Sequence, residues 1–282
     1  MSTKSDTPVW WPPTASKAPT GVVIASVNYN TKGLIAQLLW SIHRFLGDSV
    51  QSIVIVDNGS TDGSVELLQA VAAAGLCELI VNAENRHHGP ALSQAISYLA
   101  QRQQSQPAGH PWVWLLDSDC LIARADAATA AIDAATVAHA ALVGEAYWNQ
   151  WHDRDRFSGF SLLLDPAQAW RAKIGAIPDD GDPIGEFEQA CRARGVTGLS
   201  FPFTKEGYLI HLGRSTLAAV RQRAETENPL YTWALDHHDP HFQQVPEAHS
   251  RHAELISEFN EQVPTLDAAA LIRACRAAQA QI

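Results

Sequence analysis

The chain has 282 residues, 46% of them hydrophobic, enough to bury one large α/β core or two closely packed halves. Its formal net charge of −10, with no lysine-rich run or basic stripe, argues against a nucleic-acid partner. No apolar stretch approaches the ~20 residues of a membrane span, and the four cysteines at 77, 120, 191 and 275 have no paired spacing.

In chain order, residues 1–20 read as an N-terminal arm. Val9-Trp10-Trp11-Pro12-Pro13 is too short and proline-broken for a signal peptide, and the arm is expected either to pack its tryptophans on the domain or to be partly mobile. Strand, loop and helix then repeat three times. Gly21 to Tyr29 is a β-branched apolar strand, Asn30-Thr31 offers an N-cap, and a periodic helix runs from Lys32 to Leu46. Ser52 to Asp57 is a continuous apolar run of the kind a central parallel strand needs; the turn 58–63 and a helix from Ser64 to Ala74 follow, with Gly75 as stop. Cys77 to Val81 is the third strand, with a loop to His88 and a helix from about Gly89 to Gln103. Such alternation implies right-handed crossovers and a parallel sheet whose loops open on one edge.

Trp112-Val113-Trp114-Leu115-Leu116 ends in Asp117-Ser118-Asp119. Burying those charges in a core is prohibitive, so the two acids are expected where the strand emerges, at the carboxyl edge of the sheet. Two hard oxygen ligands on a strand end suit Mg²⁺ or Mn²⁺ shared with substrate phosphates. Asp57, also at a strand end, can accept a hydrogen bond from a base N–H or simply open the turn at Asn58-Gly59. Arg86, flanked by histidines, either faces a diphosphate or is a solvated surface charge. No Gly-x-Gly-x-x-Gly or Gly-x-x-x-x-Gly-Lys-Ser/Thr occurs, so phosphate falls to a metal and side chains.

Four segments, Val-Asn-Tyr-Asn at 27–30, Ile-Val-Asp-Asn-Gly-Ser-Thr-Asp at 55–62, Asn-Arg-His-His-Gly-Pro-Ala at 85–91 and Leu-Asp-Ser-Asp at 116–119, resemble family 2 glycosyltransferases. The resemblance is clear over 21–122, weaker over 145–215 and absent from 216. It implies the GT-A fold, a Rossmann-like, mostly parallel twisted sheet flanked by helices, and a nucleotide-sugar donor (UDP-, GDP- or dTDP-sugar). The nucleotide-binding set is then Val27, Tyr29, Asp57, Arg86, Asp117 and Ser118, with Asp57 on the base, Tyr29 beside it and Asp117 near the ribose. Asp119 would bind the metal that bridges the diphosphate.

The stretch 123–215 is expected to supply acceptor and base. An acidic loop, Asp179-Asp180-Gly181-Asp182, runs into a helix from Glu186-Phe187 to Arg194 with Gly195 at its end. In the family, such a helix presents the carboxylate that deprotonates the acceptor. Phe187 and Gly195 keep the family spacing, but Pro183 and Ile184 stand where the acidic pair is usual, so the general base is assigned to Glu186 first and Asp182 second. Either acid can instead cap the helix. Tyr208 to Thr216 is a short strand carrying His211 into Gly213-Arg214-Ser215. It looks like the family's His-x-x-Gly-x-Ser block, whose histidine completes the metal site; the alternative is a satisfied core histidine. Arg214 reads as a phosphate contact or a surface charge.

Tyr147, Trp148, Trp151 and Phe157, before a strand at Phe160 to Leu164, form an aromatic cluster suited to a sugar ring or to a core. Residues 216–282 are read as a mostly helical extension. His237, His238, His241, His249 and His252 suggest either a second metal site or polar surface. The amphipathic helix from Thr265, with Leu266, Leu271, Ile272 and Cys275 on one side, is expected to dock on the catalytic domain or to form a homodimer. Together these features predict a cytoplasmic, at most peripherally membrane-associated, metal-dependent inverting glycosyltransferase acting on a saccharide, lipid-linked or small-molecule acceptor. A non-catalytic nucleotide-sugar-binding subunit and a sugar-1-phosphate nucleotidyltransferase are the alternatives; the latter should carry a glycine-rich basic first loop, which residues 28–31 lack.

Overall fold

The computed structural model describes residues 7–12, 19–104, 109–149, 154–179, 182–213 and 246–281. Strands β1 (Val22–Asn28), β2 (Val50–Asp57), β3 (Glu78–Val81) and β4 (Trp112–Asp117) pair in parallel, as their apolar runs predict. The connections are α1 (Lys32–Phe45), α2 (Ser64–Ala73) and α3 (His88–Gln104). A hairpin extends the sheet: β7 (Arg154–Leu164) is antiparallel to β4, β6 (Leu142–Asn149) antiparallel to β7, and β8 (Gly198–Ser200) parallel to β6. The resulting order is β3-β2-β1-β4-β7-β6-β8. One sheet therefore runs through both 21–122 and 123–215.

Side chains alternate across it with the two-residue period of a strand. Val22, Ile24, Ile53, Ile55, Trp112 and Trp114 face one apolar cluster, with α1, α2, α4 (Ala127–Ala138) and the C-terminal helices. Val23, Ala25, Val54, Val56, Val113 and Leu115 face the other, with α3, α5 (Pro166–Ala169) and α6 (Pro183–Arg192). After the turn at Ser118-Asp119 the chain leaves the main sheet as β5 (Cys120–Ile122) and pairs antiparallel with β9 (Leu209–His211).

The arm packs as expected over residues 7–12. Trp10 lies 5.2 Å from Trp170, ring centroid to centroid, Trp11 is buried, and Trp170 Nε1 donates to Val9 O at 2.8 Å. The C-terminal helices α7 (Pro246–Gln262) and α8 (Ala268–Gln279) dock on the domain. Leu271, Ala274 and Cys275 of α8 are buried in the α1–α2 cluster, while Leu266 is exposed. Arg44 and Glu258 pair at 2.8 Å, and Trp40 Nε1 donates to Gln262 Oε1 at 3.1 Å.

Several local expectations change. Thr31 occupies the cap position of α1 without capping it, because its hydroxyl donates to Asn28 Oδ1; Lys32 N instead donates to Asp62 Oδ2 at 2.9 Å. Asp62 also accepts from Ser64 N and Oγ through its other oxygen, so one carboxylate serves the starts of α1 and α2. The predicted strand at Phe160 begins earlier, at Arg154, and Phe157 is core, 1% exposed, rather than a sugar platform. Trp151, Arg214, His237, His238 and His241 lie outside the described residues. All four cysteines are free and buried; burial pushes the thiols of Cys77, Cys191 and Cys275 up to about 12. Among the described residues no helix is long and apolar enough to cross a membrane.

Candidate functional site

Parallel register sets the level of the polar groups at the ends of β1, β2 and β4. Asn28 stands opposite Asp57, Val27 opposite Asp117, and Asp57 opposite Val81. Asp57 and Asp117 therefore flank β1 on one rim, about 10 Å apart at two strand spacings. The spatial expectation from the strand-end acids is met.

Asp57 is fully buried. Its Oδ1 accepts from Ser60 N at 2.9 Å, which is the turn-opening role, and its Oδ2 accepts from Asn28 Nδ2 at 2.7 Å. From there a chain of buried hydrogen bonds crosses β1: Thr31 Oγ1 donates to Asn28 Oδ1 at 2.8 Å and lies 3.0 Å from Ser118 Oγ, between the two acids. Asn28 and Thr31 were read in the sequence as strand and cap residues. Their structural role is to tie the Asp57 turn to the Asp117-Ser118-Asp119 turn.

Asn58 organises the third loop in the same way. Its side-chain oxygen accepts from Arg86 N and Asn82 Nδ2, and its nitrogen donates to Asn85 Oδ1 and His87 O. Gly59, at φ 81°, completes the turn; a Cβ there would stand 2.7 Å from the backbone carbon of Glu84. Only glycine admits both the left-handed backbone and the contact. Arg86 is half-buried on this loop, Tyr29 is half-buried just beyond β1, and Val27 places its side chain in the core.

Asp119 is buried and Asp117 half-buried. His211 is brought to them by the β5–β9 ladder, in which it pairs with Cys120, and by the bond from Leu212 N to Asp119 O at 3.2 Å. Its Nε2 lies 3.5 Å from Asp119 Oδ1, and its ring stacks on Phe160 at 4.4 Å between centroids. One ligand atom from each of Asp117, Asp119 and His211 lies within 4.8 Å of the others. Two carboxylates and an imidazole on rigid strand ends form a set that fits a divalent cation, and the nitrogen donor favours Mn²⁺ over Mg²⁺.

A further group arrives with α3. His88, its first residue, places Nε2 3.3 Å from Asp117 Oδ1. Burial lowers its pKa, but the hydrogen bond to Asp117 and the charges of Asp117 and Asp119 outweigh burial and raise it above the usual imidazole value. The same acids show in the neighbouring Cys120 thiol, which burial and then Asp119 and Asp117 hold far above the ordinary range. In the sequence His88 was visible only as a flank of Arg86.

The segment preceding α6 lies against the start of α3: Ile177 N donates to Ser93 Oγ at 3.0 Å, and His87 Nδ1 lies 3.7 Å from Asp179 Oδ1. The helix starts at Pro183, earlier than the sequence suggested, with Asp182 as its cap accepting from Gly185 N at 3.0 Å. Glu186 falls in the first turn. Ile184, at one of the two positions where the family's acidic pair is usual, is buried.

Among curated protein sequences none matches the chain. Three solved structures with similar backbones are the mannosyltransferase PcManGT from Pyrobaculum calidifontis in complex with GDP-Man and Mn²⁺ (TM-score 0.52, 18% identity, covering 98% of this chain and 84% of that one), glucosyl-3-phosphoglycerate synthase from Mycobacterium tuberculosis with Mn²⁺, UDP and glucosyl-3-phosphoglycerate (0.46, 14%, 74% and 82%), and S. aureus TarS 1-349 (0.48, 13%, 93% and 91%). At such identities the first speaks for the fold alone. Residues 22–168, just over half of the chain, match the family model described as glycosyl transferase family 2. The match contains the four strand-end segments described above, and the chain belongs to glycosyl transferase family 2.

Proposed function

We propose that the protein is a metal-dependent, inverting glycosyltransferase of the hexosyltransferase type, moving a sugar from a nucleoside-diphosphate donor to an acceptor hydroxyl. The observation that carries this is the meeting of Asp117, Asp119 and His211 donor atoms within 4.8 Å, on the rim that also holds Asp57. The ion, Mn²⁺ before Mg²⁺, would be held by Asp119 and His211 with Asp117 beside them; when bound, it supplies positive charge against the leaving diphosphate. The nucleotide would lie along β1 with its base toward Asp57 and Tyr29, its ribose toward Asp117 and Ser118, and its phosphates toward Arg86. Glu186, on the α6 side, takes the proton of the acceptor hydroxyl. The acceptor oxygen then forms the new bond at the anomeric carbon as the bond to the phosphate oxygen breaks, its electron pair leaving with the nucleoside diphosphate. The acceptor is a saccharide, a lipid-linked intermediate met peripherally, or a small molecule.

One observation favours a second reading, a nucleotide-sugar-binding subunit without activity: Pro183 and buried Ile184 occupy the positions of the family's usual acidic pair. Release of nucleoside diphosphate from UDP-, GDP- and dTDP-sugars in Mn²⁺ separates the two. The proposal expects slow release by the wild type in water and its loss in Asp119→Ala. Binding without release supports the second reading, and wild-type turnover by Asp119→Ala contradicts the site.

A further inference from the structure

Arg156 belongs to none of the sequence motifs. It sits on β7 opposite Tyr147 of β6, and its side chain has no solvent exposure. Its Nη1 donates to Asp182 Oδ2 at 2.8 Å and its Nη2 to Glu186 Oε1 at 2.9 Å. Position 185 is glycine, where a Cβ would stand 2.8 Å from Nη1, so the helix start is shaped to admit the guanidinium. Burial works against the charge of Arg156, but its bonds to the two carboxylates outweigh burial and raise its pKa.

The two acids are engaged differently. Both oxygens of Asp182 are used, one by Gly185 N and one by Arg156, and its side chain is 17% exposed. Glu186 is 46% exposed. One cation between two carboxylates leaves one negative charge in excess, and Glu186 is the acid that faces solvent. Among the described side chains nearby, Glu188 is engaged with Phe157 N and Arg192, Asp179 with His87, and His88 with Asp117.

We infer that Arg156 is a positioning residue for the transfer: by gripping Asp182 as anchor and Glu186 as base, it aims Glu186 at the acceptor and sets the pH at which that acid loses its proton. The arrangement stands in for the acidic pair that Pro183 and Ile184 lack. It deepens the function proposed above and rests on Glu186 being the base. An opposite charge within hydrogen-bond reach favours the carboxylate, and a neighbouring carboxylate disfavours it. Removing Arg156 and neutralising Asp182 therefore push Glu186 in opposite directions.

The test is the pH profile of nucleoside-diphosphate release, with water as acceptor, for the wild type, Arg156→Met, Arg156→Lys and Asp182→Asn, together with a ¹³C NMR titration of the Glu186 carboxyl and near-UV circular dichroism. Arg156→Met is expected to lower kcat about tenfold or more, leave donor KM within about twofold, and move the acid limb up by about one pH unit. Arg156→Lys, with one ammonium where a fork reached two acids, is expected to restore part of both. Asp182→Asn, which keeps a capping side chain, is expected to move the limb down. If Arg156→Met does not fold, the other two variants decide. Acid limbs and Glu186 titrations that coincide with wild type in folded Arg156→Lys and Asp182→Asn overturn the inference. A wild type that releases no nucleoside diphosphate overturns the transfer itself, while the Glu186 titration still reads the effect of Arg156.

Discussion

At the carboxyl rim of β1–β4, side chains are placed by strand register, Asn28 beside Asp57 and Val27 beside Asp117. At the start of α6, Asp182 and Glu186 are instead placed by one guanidinium, 26 and 30 residues upstream on β7. Register is a property of a whole backbone ladder, so outside the buried amide network of Asn28 and Asn58 a rim carboxylate such as Asp119 can be removed without losing the ladder that places its neighbours. The α6 corner has no such redundancy, because the fully buried Arg156 charge has only Asp182 and Glu186 to offset its burial, and losing either acid leaves it poorly compensated. Chemistry and stability should therefore separate at the rim and move together at the corner.

The largest effect expected is on rate. Asp119→Ala should lower metal-dependent release of nucleoside diphosphate by about a thousandfold, equivalent to ~4 kcal/mol of transition-state stabilisation. Its urea midpoint should stay near wild type, and a variant that loses stability and activity in step would break the contrast.

Leu271→Ala sharpens the same contrast from the opposite side. Leu271 of α8 is fully buried in the α1–α2 layer, so truncation should cost about 2–5 kcal/mol in urea unfolding. Donor turnover by the folded fraction should be unchanged.

Gly59→Ala lies between these cases. The left-handed backbone and the 2.7 Å approach to Glu84 predict a loss of roughly 1–3 kcal/mol together with weaker nucleoside-diphosphate binding by calorimetry. An effect on stability alone would detach the third loop from the nucleotide.

The smallest effect should come from Asp62→Ala, at about 1 kcal/mol in all. Burial raises the Asp62 pKa, but its hydrogen bonds with Ser64 and Lys32 outweigh burial and hold it below the usual carboxylate range. A lowered folded-state value contributes stability above the ordinary carboxylate pKa, and that contribution disappears as pH falls through the folded-state pKa. The stability difference between wild type and Asp62→Ala should thus be full at pH 7 and shrink below about pH 4. A difference that persists in acid would exclude the charge as its source.

How legible each part was follows from how it is built. The strands β1, β2 and β4 and the acids at their ends could be read because an apolar run closed by Asp57 or Asp117 has few other physical solutions. The docking of α8 was visible in the spacing of Leu271 and Cys275. By contrast, Asn28 read as a strand residue and Asn58 and Asn82 as turn and loop residues, since nothing local tells a buried asparagine network from an ordinary strand end or a solvated loop. The strand β6 went unread, and with it the hairpin that buries Phe157. Arg156, at the end of the charged run Asp153-Arg154-Asp155 and before Phe157, carried no signal of its own; its burial depends on partners that arrive only when α6 packs on β7.

The most direct test of the metal rim is anomalous diffraction at the manganese edge from crystals grown with Mn²⁺ and UDP or GDP. The account predicts one strong peak at coordination distance from Asp119 and His211, beside Asp117 and against the diphosphate. A peak elsewhere, or a nucleotide on this rim with no metal at those side chains, would contradict it.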